Sequence, residues 1–255
     1  MGNKRITFPP QHGAWAYLII PSVMAALLGA GTWPGLIFSI TWVSAYPLSY
    51  FSGRALIARL RRGSWTVRAI NELRLARPWG LLTTIGAVAL ITLRPWMILP
   101  GLLVIGLWSI SVYLSWAGRE RGITNDLLLV LLASIAPILM YQVANEDPSL
   151  RNLPQAIWIA SYICLLFFVG SVLHVKSLIR EAKNPKWHTA SIFFHIVVLI
   201  ILPLTTHSWW LTAPFLFALA RTLVMKPGGR PGRIGVVELV VAFLMITVTV
   251  LVEMQ

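Results

Sequence analysis

The chain is short of acidic residues, and of charge in general. Eight Asp and Glu residues stand against 21 Lys and Arg among 255 residues. Only 11% of the chain is charged and 57% is hydrophobic, with a mean hydropathy of +0.76. A soluble domain of this length has too little interior to hide so much apolar material. The composition therefore excludes an ordinary soluble protein and predicts a chain that crosses a membrane several times.

Cysteine and the common catalytic signatures are also scarce. Cys164 is the single cysteine and lies within an apolar run, so the chain forms no internal disulfide. The sequence has no Gly-rich phosphate loop, no paired-cysteine zinc pattern, no His-Glu-x-x-His and no Gly-x-Ser-x-Gly elbow. The residues therefore predict neither a metal site nor a cofactor.

What the chain does have is a series of nine apolar segments, each interpreted as a membrane-spanning helix of about 20 residues. They are 13–30, 34–52, 79–93, 96–117, 126–143, 154–174, 189–205, 208–224 and 234–252. The first follows Lys4 and Arg5, as a signal peptide would, but Pro21 interrupts it, so we expect a retained helix. The sequence predicts an all-α polytopic membrane helix bundle, a single transmembrane domain over residues 1–255.

The basic residues fall almost entirely on one side of these segments. Of the 21 Lys and Arg residues, 19 lie in the N-terminal stretch or in alternate loops and adjoining segment ends, and only Arg94 and Arg151 lie on the other side. Short loops rich in Lys and Arg stay in the cytoplasm. We therefore predict a cytoplasmic N-terminus and an outside C-terminus in a bacterial cytoplasmic (inner) membrane. The expected partner of these loops is the anionic cytoplasmic leaflet of the lipid bilayer rather than nucleic acid.

Ionisable groups near the cytoplasmic segment ends are the candidate functional residues, because polar groups at membrane depth are costly. His12 lies at the start of the first helix, and Tyr50 and Arg54 share one face at the end of the second. Asn125 and Asp126 lie at the start of the fifth helix. An ordinary position at the membrane interface is the alternative explanation for His12, Tyr50 and Arg54. Helix capping by Thr124 or Asn125 explains part of the polar run that contains Asn125 and Asp126.

The sixth segment runs into a second group of candidates. In a continued helix Lys176 and Arg180 share a face, whereas His174 and Glu181 lie on a neighbouring one. A Lys and Arg pair can clamp a phosphate or a carboxylate, with Arg binding in a bidentate fork. Snorkelling to lipid phosphates is the alternative.

Two more ionisable residues, His195 in the seventh segment and Glu238 in the ninth, lie near the same interface. Either could pair with one of the basic residues, and Glu238 needs such a partner at this depth. The outer half of the bundle carries almost nothing ionisable, which disfavours a path for ions or protons across the membrane.

Three stretches together, Pro9–Trp15, Glu120–Asp126 and Ser171–Glu181, resemble the YwiC-like family of bacterial membrane proteins. This resemblance implies a membrane protein but no particular activity. The nine-helix arrangement is also similar in topology to the UbiA-type prenyltransferases, which implies Asp-rich motifs that hold an isoprenyl diphosphate through Mg²⁺. Here the corresponding loops carry arginine and lysine, which repel Mg²⁺, so that metal chemistry is not expected.

We therefore expect a cytoplasm-facing pocket that binds an anionic amphiphile, isoprenoid-like or lipid-like. The residues leave open whether the protein is an enzyme; a prenyltransferase-like reaction would use His12, Asp126, His174 or Glu238 as acid and base. The alternatives are a small-solute or ion transporter and an accessory subunit of a membrane complex. Nothing in the sequence defines the oligomeric state.

The predicted orientation can be tested with single cysteines in a Cys164→Ser background. Because the 143–154 loop lies outside in this topology, Ser149→Cys should react with a membrane-impermeant maleimide added to intact cells. Lys183→Cys should react only after the cells are permeabilised. Labelling in the reverse pattern would invert the topology.

Overall fold

A computed structural model of the chain describes residues 8–9, 12–120, 122–229 and 231–255, without the side chains of residues 12 and 13. Within these ranges the chain forms nine α-helices and no strand. They are α1 (His12–Ala25), α2 (Trp33–Arg62), α3 (Val67–Leu93), α4 (Ile98–Trp116), α5 (Ile123–Asn145), α6 (Gln155–Val175), α7 (Pro185–Thr206), α8 (Ala213–Val224) and α9 (Pro231–Glu253). One π-helical turn follows α1 (Ala26–Ala30) and another follows α6 (Lys176–Arg180).

Six stretches of the described chain are helical, long and apolar enough to cross a membrane, and they contain α3, α4, α5, α6, α7 and α9. Two shorter apolar helical stretches, Ala14–Ala30 and Trp210–Val224, contain most of α1 and all of α8. Large apolar side chains such as Leu81, Leu99 and Ile105 are exposed on the bundle surface. Such a surface is typical of helices that face lipid. The prediction of an all-α, multi-pass membrane helix bundle is confirmed, and its orientation stays a prediction.

The second and third helices are longer than the predicted spans. α2 continues to Arg62 and α3 begins at Val67, so most of the stretch between the predicted spans, 53–78, is helical. Gly63 ends α2 in the left-handed region at φ 69°, and the Thr66 hydroxyl accepts a hydrogen bond from the Ala69 N–H to cap α3. Hydropathy marks where a helix meets lipid, whereas the Arg, Leu and Ala residues of this stretch favour helix outside it as well.

The two long helices pack closely as a hairpin. Gly86 lies directly against Thr41, and a Cβ at that position would overlap the Thr41 hydroxyl. The hydroxyls of Ser44 and Thr83 are hydrogen-bonded at 3.0 Å. Small residues and hydroxyl bonds of this kind hold helices together where lipid offers no hydrophobic driving force.

The core is built around α6, which contacts α1, α5, α7, α8 and α9. Phe167, Phe168 and Cys164 on α6 are buried with Met24 of α1 and Phe215 of α8. α6 therefore lies inside the bundle along its length, and its last turn is enclosed by other helices.

At the end of the bundle where α3 stops, Arg94 caps α5. Its Nε donates to the Val143 carbonyl at 3.0 Å, and its Nη2 meets the Glu146 carboxylate at 2.6 Å. Arg94 is 9% exposed, and a cation at a helix C-terminus is favoured by the helix dipole. One of the two cations predicted on the outer side is thus used to join α3 to α5.

Arg94→Ala should lower the free energy of unfolding by roughly 1–3 kcal/mol, because the buried carbonyl of Val143 loses its charged donor. Glu146→Gln should cost less than about 1 kcal/mol, since that carboxylate is largely exposed. Chemical denaturation in a mild detergent measures both. Arg151→Ala, at an exposed position, is the matched control, and equal effects of Arg94→Ala and Arg151→Ala would contradict this role.

Candidate functional site

The start of α5 and the end of α6 meet through an ion-pair group formed by Asp126, Lys176 and Arg180. Lys176 Nζ lies 2.8 Å from Asp126 Oδ2, and Arg180 Nη1 lies 3.5 Å from the same oxygen. Lys176 is only 4% exposed. Asp126 lies in the first turn of α5, where the helix dipole favours a carboxylate. We name these three residues the outer layer.

Lys176 and Arg180 begin and end a π-helical turn that prolongs α6. The Glu181 N–H reaches back to the Lys176 carbonyl at 2.8 Å, and the loop before α9 joins the turn through Gly228 N–H and the Leu178 carbonyl at 3.0 Å. π-turns are uncommon and often occur at functional sites. This turn brings the side chains of Lys176 and Arg180 to one carboxylate.

A second group lies deeper and joins α6, α8 and α9. Glu238 of α9 forms an ion pair with Arg221 of α8, and it accepts a hydrogen bond from the Ser171 hydroxyl at 2.6 Å. His174 Nε2 lies 3.7 Å from Glu238 Oε1. His174 is fully buried, and the Arg221 and Glu238 side chains are 4% and 14% exposed. We name Ser171, His174, Arg221 and Glu238 the inner layer.

Tyr17 of α1 connects the two layers. Its phenol lies beside Ser171 of the inner layer and within electrostatic range of Asp126, Arg180 and Arg221. Its ring packs on Phe168 with 4.3 Å between centroids. The polar groups of α1, α5, α6, α8 and α9 therefore form one cluster at one end of the bundle, which we call the basic end.

The cluster carries more positive than negative charge. Three cations, Lys176, Arg180 and Arg221, face two carboxylates, Asp126 and Glu238. Two nitrogens of the buried Arg221 guanidinium, Nε and Nη2, have no hydrogen-bond partner among the residues that the structure describes. A cavity of about 300 Å³, lined by residues 179–184 and including Arg180, opens beside the outer layer. Arg180 thus belongs both to the cluster and to the wall of this cavity.

The structure brings five of the predicted site residues into this cluster and places others elsewhere. Those in the cluster are Asp126, His174, Lys176, Arg180 and Glu238. Glu181 ends the π-turn and lines the cavity. The side chain of His12 lies outside the described residues.

Tyr50 and Arg54 belong to the α2–α3 hairpin rather than to the cluster. Arg54 donates to the Tyr50 hydroxyl at 2.6 Å and forms an ion pair with Glu72 at 3.0 Å. Burial lowers the pKa of Arg54, but the Tyr50 hydrogen bond and the Glu72 carboxylate outweigh it, so its pKa is above the ordinary value. The pair of Tyr50 and Arg54 is thus occupied in joining two helices.

Asn125 and His195 form hydrogen bonds to backbone carbonyls near them in the sequence. α5 begins at Ile123 with Gly122 as its cap, so Thr124 and Asn125 lie inside the helix and the predicted capping role is wrong. The Asn125 amide donates to the Glu120 carbonyl at 3.0 Å. His195 Nδ1 lies 2.6 Å from the Ser191 carbonyl, and its ring packs over Gly170 of α6.

Sequence reasoning missed Arg221, Ser171 and Tyr17. Arg221 was counted as a topology signal, although it falls inside the apolar segment 208–224. A cation within such a segment needs a partner, which is the signal that could have identified it. Ser171 and Tyr17 carry no comparable signal, because hydroxyls often bond their own helix.

In the part of the chain that the structure describes, no three His, Cys, Asp or Glu residues are grouped so that they could hold a metal ion. Asp126 is paired with Lys176 and Arg180, and Glu238 is paired with Arg221.

The fold and the cluster together define a multi-pass helical membrane protein with a polar site at one end. The chain belongs to the YwiC-like protein family, whose profile matches residues 8–141, just over half of its length. The resemblance predicted from the sequence is confirmed. The matched region contains α1 to most of α5, including Asp126, whereas the rest of the cluster's ion pairs come from beyond it.

Two curated relatives extend the similarity to about three quarters of the chain. A protein of Haemophilus influenzae named "Uncharacterized protein" is 26% identical over 195 residues, 75% of each chain. The "Uncharacterized protein YwiC" of Bacillus subtilis is 25% identical over 203 residues, 79% of each chain. No solved structure matches this chain.

Removing one member of the inner ion pair should be far more damaging than replacing both. Arg221→Met or Glu238→Gln alone should cost roughly 3–5 kcal/mol, because each strands a buried charged or polar partner. The double variant Arg221→Met with Glu238→Gln should recover most of that loss. Thermal and chemical unfolding in detergent give the free energies of unfolding for this double-mutant cycle. Arg233→Met, at an exposed position, is the control. Additive losses would show that the two side chains do not depend on each other.

Proposed function

We propose that the cluster at the basic end binds the anionic head group of an amphiphile whose apolar tail lies along the helices. The convergence of basic side chains beside a cavity carries this proposal. Among the described residues, the ion pairs of the cluster join three basic side chains to two carboxylates, and two of the three basic side chains are nearly buried. Burying a cation is costly, and a bound anion would offset part of that cost.

The outer layer suits a phosphate or carboxylate oxygen. Lys176 and Arg180 both contact the same oxygen of Asp126, so the two basic groups lie close enough to meet one anionic group. The Arg180 side chain is 43% exposed and borders the cavity, so its guanidinium can receive a ligand in a bidentate fork. An incoming anion would meet Arg180 first and Lys176 behind it.

The surroundings favour an amphiphile over a small soluble anion. Ile179 lines the same cavity as Arg180 and is 40% exposed, and Leu127 is exposed next to Asp126. Apolar surface therefore begins one residue from each charged group. A head group held by Arg180 could leave its tail on this surface without crossing a polar barrier.

Purified protein in a neutral detergent should bind geranylgeranyl diphosphate or dioctanoyl phosphatidylglycerol, measured by calorimetry at fixed ionic strength. The two probes distinguish an isoprenyl phosphate from a membrane lipid as the source of the head group. Lys176→Ala and Arg180→Ala should each weaken binding about 10–100-fold, the equivalent of one charged hydrogen bond. Geranylgeraniol and dioctanoyl phosphatidylcholine should bind weakly, because they lack a net negative head.

Two further variants separate binding from fold stability. Arg68→Ala removes an exposed cation of α3 and should leave affinity unchanged. Asp126→Asn should preserve or tighten binding, since it removes the carboxylate that competes with the ligand for Lys176 and Arg180. Equal binding by wild type, Lys176→Ala and Arg180→Ala, or binding lost in Asp126→Asn, would contradict the proposal.

A further inference from the structure

The α2–α3 hairpin continues well past its apolar segments. Residues 53–62 of α2 and 67–78 of α3 lie beyond the predicted spans, and we name residues 53–78 the arm. At about 1.5 Å per residue, these two helix ends are roughly 15 and 18 Å long. A lipid head-group layer is only roughly 5–8 Å thick, and a helix tilt of about 40° would still carry the end of α2 about 11 Å past the apolar boundary. The turn of the hairpin therefore lies beyond the lipid head groups.

The arm is held in a defined position by its own contacts and by α4. Arg54 and Glu72 form an ion pair at 3.0 Å that joins the two helices. Ala69, two residues after the start of α3, is fully buried, so the helices remain packed close to the turn. Arg61 donates to two carbonyls in the last turn of α4 at 3.2 and 3.3 Å. A surface that is already ordered loses less entropy when it binds a partner.

The end of the arm, residues 59–70, exposes apolar side chains, and we name it the tip. Leu60, Trp65 and Val67 are 53%, 52% and 76% exposed. The guanidinium of Arg59 lies over the Trp65 ring, 5.9 Å from its centroid. Tryptophan and arginine are the residues that most often dominate the energy of protein interfaces. Exposed apolar groups outside the lipid therefore indicate a surface that binds a protein.

The charge of the tip defines the kind of protein. The tip has four arginines and no acidic residue, and Glu72, the single acid of the arm, is paired with Arg54. A neutral apolar partner would bury arginines without a counter-charge, which is costly, and a basic partner would be repelled. The complementary surface has carboxylates around an apolar centre.

We propose that the tip is a docking site for an acidic, amphipathic segment of a protein on the same side of the membrane. The apolar side chains of that segment cover Leu60 and Trp65, and its carboxylates meet Arg62 and Arg68. The proposal is independent of the proposed function, because the arm and the cluster at the basic end have no residue in common.

A synthetic peptide tests this docking site. The protein in nanodiscs of neutral phosphatidylcholine should bind a fluorescent helical peptide of about 16 Leu and Glu residues with its leucines on one face, as fluorescence anisotropy would show. A peptide of the same composition, rearranged so that no apolar face forms, should bind at least about tenfold more weakly. Binding should weaken as the salt concentration rises, because the arginines of the tip are near the surface.

Variants of the tip have matched controls elsewhere in the chain. Trp65→Ala should weaken binding about 30-fold, as at an interface hot spot, and Trp65→Phe should weaken it less. Arg62→Ala should weaken binding about 3–10-fold and reduce its salt dependence. Trp210→Ala, at the opposite end of the bundle, and Arg119→Ala, after α4, change exposed residues and should bind as wild type. Absence of binding by the amphipathic peptide, equal binding of the two peptides, or unchanged affinity in Trp65→Ala would overturn the proposal.

A measurement without peptide separates a protein partner from the lipid surface. A bimane on Ser64→Cys in the Cys164→Ser background should be quenched by iodide in water and little by nitroxides on lipid head groups. This result should hold in nanodiscs with and without phosphatidylglycerol. Leu81→Cys, exposed within the apolar part of α3, should instead be quenched by nitroxides on acyl chains. Strong head-group quenching at Ser64→Cys would place the tip on the lipid surface and overturn docking of a protein there.

Discussion

Burial of the Arg221 guanidinium beside the Glu238 carboxylate is the constraint around which the basic end is organised. Neither charge is tolerable alone inside an apolar bundle, and the pair is tolerable only with further hydrogen bonds. Ser171 supplies one of them, and His174 lies against the same carboxylate. The end of α6 must therefore lie between α8 and α9, and this position fixes where the π-turn after α6 delivers Lys176 and Arg180.

The two layers of the cluster differ in what they can do. The outer layer borders a cavity, and its Arg180 is partly exposed, so it can exchange one anion for another. The inner layer is enclosed, and its ion pair joins α8 to α9. Tyr17 lies within reach of both layers.

Much of the fold follows from the sequence, because lipid demands one simple property, a long apolar run, of each helix. The extension of α2 and α3 beyond the apolar segments did not follow, since hydropathy does not report helix in a polar stretch. For the site, Asp126, Lys176 and Arg180 were identified by their unusual local density of polar groups. Their pairing was not, because the partners are up to 54 residues apart and meet only through the π-turn. Arg54 was also predicted as a site residue, but the structure pairs it with Glu72 on the neighbouring helix of the same hairpin.

The shortness of α8 has a consequence for how the protein enters the membrane. A helix of 12 residues that carries a buried arginine, Arg221, in its last turn is too short and too polar to be stable in lipid by itself. Its counter-charge, Glu238, arrives on the next helix to be synthesised. We therefore expect α8 to stay at the translocon until α9 follows, and the two to leave it as one neutral hairpin that docks against an α6 already in place.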